Sequence, residues 1–178
     1  MSLHCSHRAS SVTPFLAMEV MERAQALEAT GRDIIYLCLG EPDLPTPAPI
    51  VRQAVTAIEQ GKTRYTHSLG DRAIRQAIAD HYQTRYQVLV DPDCILVSAG
   101  TSPLMLLLFS MLLDEGDEVI LSDPGYACYP DFIRFAGGVP RLLRTFEEDG
   151  FQPRPTDVRA LINKRTRAVL VNSPSNPT

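Results

Sequence analysis

The sequence predicts an α/β protein built on a mainly parallel sheet with helices on both faces. From residue 94 onward, short apolar runs alternate with segments of helical periodicity. Runs such as CILVS (94–98), EVILS (118–122) and RAVLVN (167–172) are apolar almost throughout. Strands buried on both faces of a parallel sheet read this way, whereas half-exposed strands alternate. Fourteen prolines and ten glycines punctuate the chain with turns.

Leu16 to Thr30 carries apolar residues at three-to-four spacing, with Gly31 as a stop, which predicts an amphipathic helix. IIYLCL, Ile34 to Leu39, reads as a short buried strand, and the proline-rich GEPDLPTPAP after it as irregular. Pro47 or Pro49 opens a helix to about Gln60, closed by Gly61. Past the loop KTRYTHSLG, a second long helix from about Asp71 to Tyr86 places Ile74, Ala77, Ile78 and Tyr82 on one face. Cys94 to Ser98 predicts a strand, AGTS a turn, and Pro103 the first turn of a helix reaching about Leu113. There follow a strand ending at Ser122, a helix over Pro130–Phe135, a strand within GGVPRLLRT, a helix over Thr156–Asn163 and a strand over Arg167–Asn172. The opening MSLHCSHRASS reads as a flexible start.

The chain is 44% hydrophobic and 21% charged, with 17 basic and 21 acidic residues and a net charge of -4. Without a basic block it is not expected to bind nucleic acid, which requires clustered positive charge. The longest apolar stretch, Leu104 to Leu113 with Ser110 inside it, falls short of the roughly 20 residues of a membrane span. Glu19 and Glu22 break the N-terminal apolar stretch, so no secretory signal is expected. Cys5, Cys38, Cys94 and Cys128, and His4, His7, His67 and His81, lack disulfide-framework or metal-ligand spacing. A reducing cytoplasm and no metal are the expectation.

Five constellations can carry chemistry. In VSAGTSP, Gly100 lets a ligand approach the backbone, while the amides and hydroxyls of Thr101 and Ser102 at a helix start favour an anion, most naturally phosphate. The plainer reading is a helix cap; the segment matches neither the P-loop nor the GxGxxG pattern. In SDPGYACYP, Tyr126 and Tyr129 can offer an aromatic face to a flat ring or pack on the sheet edge. In NSPSNPT, two Xaa-Pro bonds are candidates for the cis isomer, and the Asn176 amide can donate to a ring oxygen. In LGEPD, Gly40 can offer its amide to a carboxylate, with Glu41 and Asp43 as loop-fixing acids. In GKTRYT, Tyr65 taken alone is a surface or interface residue. Three loops leaving three strands at one edge are what a ligand crevice requires.

The order of these motifs, with FAGG after the second, resembles the N-terminal half of the class I/II aminotransferases. These are fold-type I pyridoxal-phosphate enzymes, and the likeness is to the aspartate aminotransferase-like branch from about Pro14 to Thr178. The resemblance implies an arm and small-domain segment over 1–45 and an incomplete coenzyme-binding large domain over 46–178. It implies pyridoxal 5'-phosphate as cofactor. Gly100, Thr101 and Ser102 would hold the phosphate, Tyr126 would stack on the ring and Asn176 would bond its phenolic oxygen. Gly40, with Asn176, would lie at the substrate, and Tyr65 would reach a neighbouring subunit's phosphate in a homodimer. The implied reaction transfers an amino group between an amino acid and a 2-oxo acid in amino acid biosynthesis.

Such chemistry needs a lysine amine, a carboxylate at the ring nitrogen and an arginine for substrate. The resemblance puts all three beyond Thr178, so no catalytic residue is assigned. The chain has only two lysines, Lys62 and Lys164, both read as surface charges. The 178 residues are expected to be a fragment inactive alone. Alternatives within the superfamily are a C–S lyase, an aminocyclopropane carboxylate synthase-like enzyme or the aminotransferase-like half of a regulator. Outside it stand a non-catalytic remnant and an unrelated doubly wound binding module.

Overall fold

Five helices begin where a side chain or a proline closes the first turn. In the computed structural model, which describes residues 4–178, α1 (His7–Ser11) is capped by Ser6, whose hydroxyl accepts from the Ala9 N–H at 3.2 Å. It is followed by α2 (Leu16–Glu28), α3 (Ala48–Glu59), α4 (Arg72–Tyr86), α5 (Thr101–Leu112), β1 (Glu118–Asp123), α6 (Tyr129–Phe135), β2 (Val139–Arg144), α7 (Pro155–Leu161) and β3 (Thr166–Leu170). Prolines stand in the first turns of α3, α6 and α7, where a missing N–H costs no helical bond. Asp71 caps α4 by accepting from the Ala73 N–H at 2.7 Å.

The chain divides into two compact units. One comprises the residues up to Leu39 with Ser102–Thr178; the other comprises Gly40–Thr101. The first contains a three-stranded parallel sheet in the order β2-β1-β3. Val119 and Leu121 of β1 face Phe109 and Leu113, Ile133 of α6 and the partly buried Ala168 and Leu170 of β3. Parallel neighbours joined by helical crossovers are what the alternating apolar pattern predicts. Glu118, with 2% of its side chain exposed, accepts from Arg165 at 3.0 Å and from Asn163 Nδ2 at 2.8 Å, which satisfies a charge buried at the start of β1.

Three expectations are corrected. Ile34–Leu39 is not a strand, and Ile35 and Leu37 are exposed. Cys94–Ser98 is not a strand either; Pro92–Cys94 form a 3₁₀ turn. Both runs are apolar, but neither has a ladder partner among the described residues, and a strand needs one. The opening segment, read as a flexible start, carries α1, which packs against α6; its first three residues lie outside the described residues.

Candidate functional site

Since β1 and β3 run parallel side by side, the segments 124–128 and 171–178 leave from the same edge of the sheet. The chain passes from β1 outward to β2, then back across to β3, so the strand order reverses about β1. In open α/β sheets, ligand crevices lie at the carboxyl ends where the order reverses. The peptide bonds before Pro124, Pro174 and Pro177 are cis.

The turn after β1 is tight. A Cβ at Gly125 would lie 2.6 Å from the Ser122 carbonyl oxygen, so any larger residue must move the loop that carries Tyr126. Thr145 ties the end of β1 to the end of β2, donating its N–H to the Asp123 carbonyl at 2.8 Å. Tyr126 itself is half-buried. Its ring meets Tyr129 at 5.2 Å and 73° and Phe15 at 6.2 Å and 63°, both edge-on. A hydrogen bond with the Cys128 side chain, and then burial, raise the Tyr126 phenol above its ordinary pKa and keep it protonated.

Ser102 lies exposed in the first turn of α5. First-turn amides have no acceptor within their own helix, so this end presents N–H groups beside a hydroxyl to an anion. Asn176 is exposed in the segment beyond β3. Ser102, Tyr126 and Asn176 thus belong to the sheet-containing unit, with Tyr126 and Asn176 on segments that leave one sheet edge.

Gly40, Tyr65, Gly100 and Thr101 belong to the other unit. All four are exposed there, and a Cβ at Gly40 would meet nothing within 4 Å, so packing does not demand a glycine at that position. The segment leading to Gly100 is anchored by the Val97 N–H, which donates to the Leu69 carbonyl at 2.9 Å. Gly70, at φ +97°, allows that approach, since a Cβ there would lie 2.9 Å from Val97 Cβ. Arg75 secures the same corner. Its buried guanidinium donates to the Pro92 carbonyl at 2.8 Å, to Asp93 Oδ1 at 2.9 Å and to the Gly70 carbonyl at 3.3 Å. The bond from Arg75, followed by the charge of Arg72, holds the Asp93 carboxyl below its ordinary pKa.

Sequence reasoning missed Phe15. Its ring touches Tyr126 and lines an apolar cavity of about 640 Å³ with Leu106, Cys128 and Phe132. An aromatic residue at the entry to a helix was the available signal. Among the described residues no acidic, histidine and cysteine cluster suits a metal, and no helix is long and apolar enough to cross a membrane.

A parallel sheet with loops gathered at one carboxyl edge defines the class as an α/β fold of the kind seen in solved aminotransferases. An aspartate aminotransferase from Thermus thermophilus with maleate superposes with a TM-score of 0.93 at 38% identity, over 99% of this chain and 46% of that one. Alanine aminotransferase from Pyrococcus furiosus gives a TM-score of 0.90 at 35% identity, over 98% of this chain and 45% of that one. In sequence, a probable aspartate/prephenate aminotransferase of Thermus aquaticus is 40% identical over 97% of this chain and 45% of its own length. The model for "Aminotransferase class I and II" matches residues 32–178. The chain belongs to the class I and II aminotransferase family. It spans about half the length of the relatives it matches.

Proposed function

We propose that the chain supplies coenzyme-binding elements of a pyridoxal-phosphate-dependent aminotransferase that transfers an amino group between an amino acid and a 2-oxo acid. The observation that carries this reading is Tyr126. Its aromatic ring is braced by two others at the carboxyl edge, and a segment bearing Asn176 leaves that same edge. These groups suit a phosphorylated aromatic coenzyme: hydroxyl and amide donors for an anion, an aromatic face for a ring, and an amide for a ring oxygen.

In this reading Gly100, Thr101 and Ser102 hold the phosphate by amide and hydroxyl donation. Tyr126 orients the ring by contact with its face, and the Asn176 side-chain N–H donates to the ring oxygen, favouring its ionised form. Gly40 offers its amide to the substrate carboxylate. Tyr65, fully exposed, donates to the phosphate of a neighbouring subunit in a homodimer. When bound, the coenzyme supplies the electron sink for the substrate Cα. Residues 1–45 act as arm and small-domain segment, and 46–178 as part of the large domain. The four free cysteines suit a cytoplasmic setting. The matched relatives are named aminotransferases, which favours amino transfer over C–S lyase chemistry.

Neither lysine suits the covalent role. Lys62 follows α3 in the other unit. Lys164 precedes β3, which spans Thr166–Leu170. At about 3.3 Å per strand residue, that puts Lys164 about 15 Å or more from the carboxyl edge. The 178 residues are therefore expected to bind the coenzyme without turning over amino acids.

Titration with pyridoxal 5'-phosphate, followed by absorbance and by the circular dichroism of the coenzyme band, tests the reading. Tyr126→Ala is expected to weaken binding several-fold, on the scale of an aromatic contact. Equal binding by Tyr126→Ala and the unsubstituted chain, or borohydride trapping of the coenzyme on Lys62 or Lys164 with turnover, would overturn it.

A further inference from the structure

We infer that Phe15 is a positioning residue for Tyr126, so that the N-terminal arm helps to build the coenzyme face; this rests on the reading that Tyr126 meets the coenzyme ring. Phe15 stands immediately before α2, and its carbonyl accepts from the Met18 N–H at 2.9 Å, which fixes its backbone to the first turn of that helix. Its half-buried ring meets Tyr126 edge-on at 6.2 Å. On the other side Tyr126 meets Tyr129, the first residue of α6, at 5.2 Å. Tyr126 is therefore held between the starts of two helices, in a loop that the tight Gly125 turn already constrains.

Edge-to-face contact directs the positive rim of one ring toward the negative face of another, so it sets orientation as well as proximity. An aliphatic side chain at position 15 fills space without that direction. α1 packs against α6, so the arm is joined to the same helix that carries Tyr129. Position 15 thus acts on the coenzyme through Tyr126 and not by contact.

The test compares the unsubstituted chain, Phe15→Leu and Phe15→Tyr, with pyridoxal 5'-phosphate as the probe. Affinity and the circular dichroism per bound coenzyme are both measured. Phe15→Leu is expected to weaken binding about 3- to 10-fold, the range of an aromatic pair, and to reduce the dichroism. Phe15→Tyr is expected to restore both. A merely structural role would lower thermal stability and leave the dichroism per bound coenzyme unchanged, which would overturn the inference. Equal affinity and equal dichroism in Phe15→Leu would do the same. If Phe15→Leu fails to fold, Phe15→Met carries the same comparison. Absence of binding by the unsubstituted chain would remove the coenzyme reading and this inference together, and that outcome is distinct because no substitution is involved.

Discussion

The two units are held together by different physics. The sheet-containing unit buries Phe109, Leu113, Val119, Leu121 and Ile133 against one another, an apolar cluster with β1 at its centre. The helical unit, Gly40–Thr101, buries only Arg75 and Ala79, and its corner is tied by hydrogen bonds from one guanidinium. Apolar burial is indifferent to pH and specifies position through shape. A charge-assisted clamp specifies position through donor geometry, and it fails when its carboxylate is protonated. Loops mounted on the first unit inherit a rigid base; the Gly100 turn inherits a polar one.

The largest effect is expected from Ile133→Ala. It opens a cavity in the apolar cluster and costs about 2–5 kcal/mol, measured by denaturant unfolding, with exchange protection lost first from β1 amides. Equal loss of protection in α4 would erase the contrast between the units. Next comes Arg75→Ala, which removes charge-assisted bonds to two carbonyls and a carboxylate. About 1.5–3 kcal/mol is expected, with hydrogen exchange rising in α4 while β1 keeps its protection. The same clamp makes a pH test. The bond from Arg75 and the charge of Arg72 lower the Asp93 pKa. That contribution is complete above the unfolded carboxylate range, about pH 4, and is lost as pH falls through the lower native value. Protection in α4, taken relative to the intrinsic exchange rate at each pH, should therefore fall on acidification below that range, and Asp93→Asn should flatten the response. The smallest effect is Asp71→Ala, about 1 kcal/mol from a lost helix cap, read as fraying of the first turn of α4.

Much of the fold was legible in the sequence because local chemistry and burial agreed. Asp71 and Gly61 mark real boundaries, of α4 and α3; the EVILS run is the buried central strand β1, and the RAVLVN run carries the half-buried edge strand β3. Ile34–Leu39 and Cys94–Ser98 misled because an apolar run reports avoidance of water and says nothing about a hydrogen-bonding neighbour. Ile35 and Leu37 are as apolar as Val119 and Leu121, yet they are exposed. Of the candidate site, Ser102, Tyr126 and Asn176 were visible as turn chemistry at the ends of periodic segments. Phe15 was not, because an aromatic residue at a helix entry does not show that it meets Tyr126, so distant along the chain. Gly40 also stays opaque, since its unit leaves open space where a side chain would go.

Two of the three strands are rims. The outer sides of β2 and β3 present main-chain groups that no neighbour in this sheet engages, and Val169 and Val171 add greasy side chains at the β3 end. Concentrated samples should accordingly be limited by self-association through these borders before any helix loosens. Val169→Lys, one residue before the carboxyl end of β3, should extend the soluble range of these 178 residues.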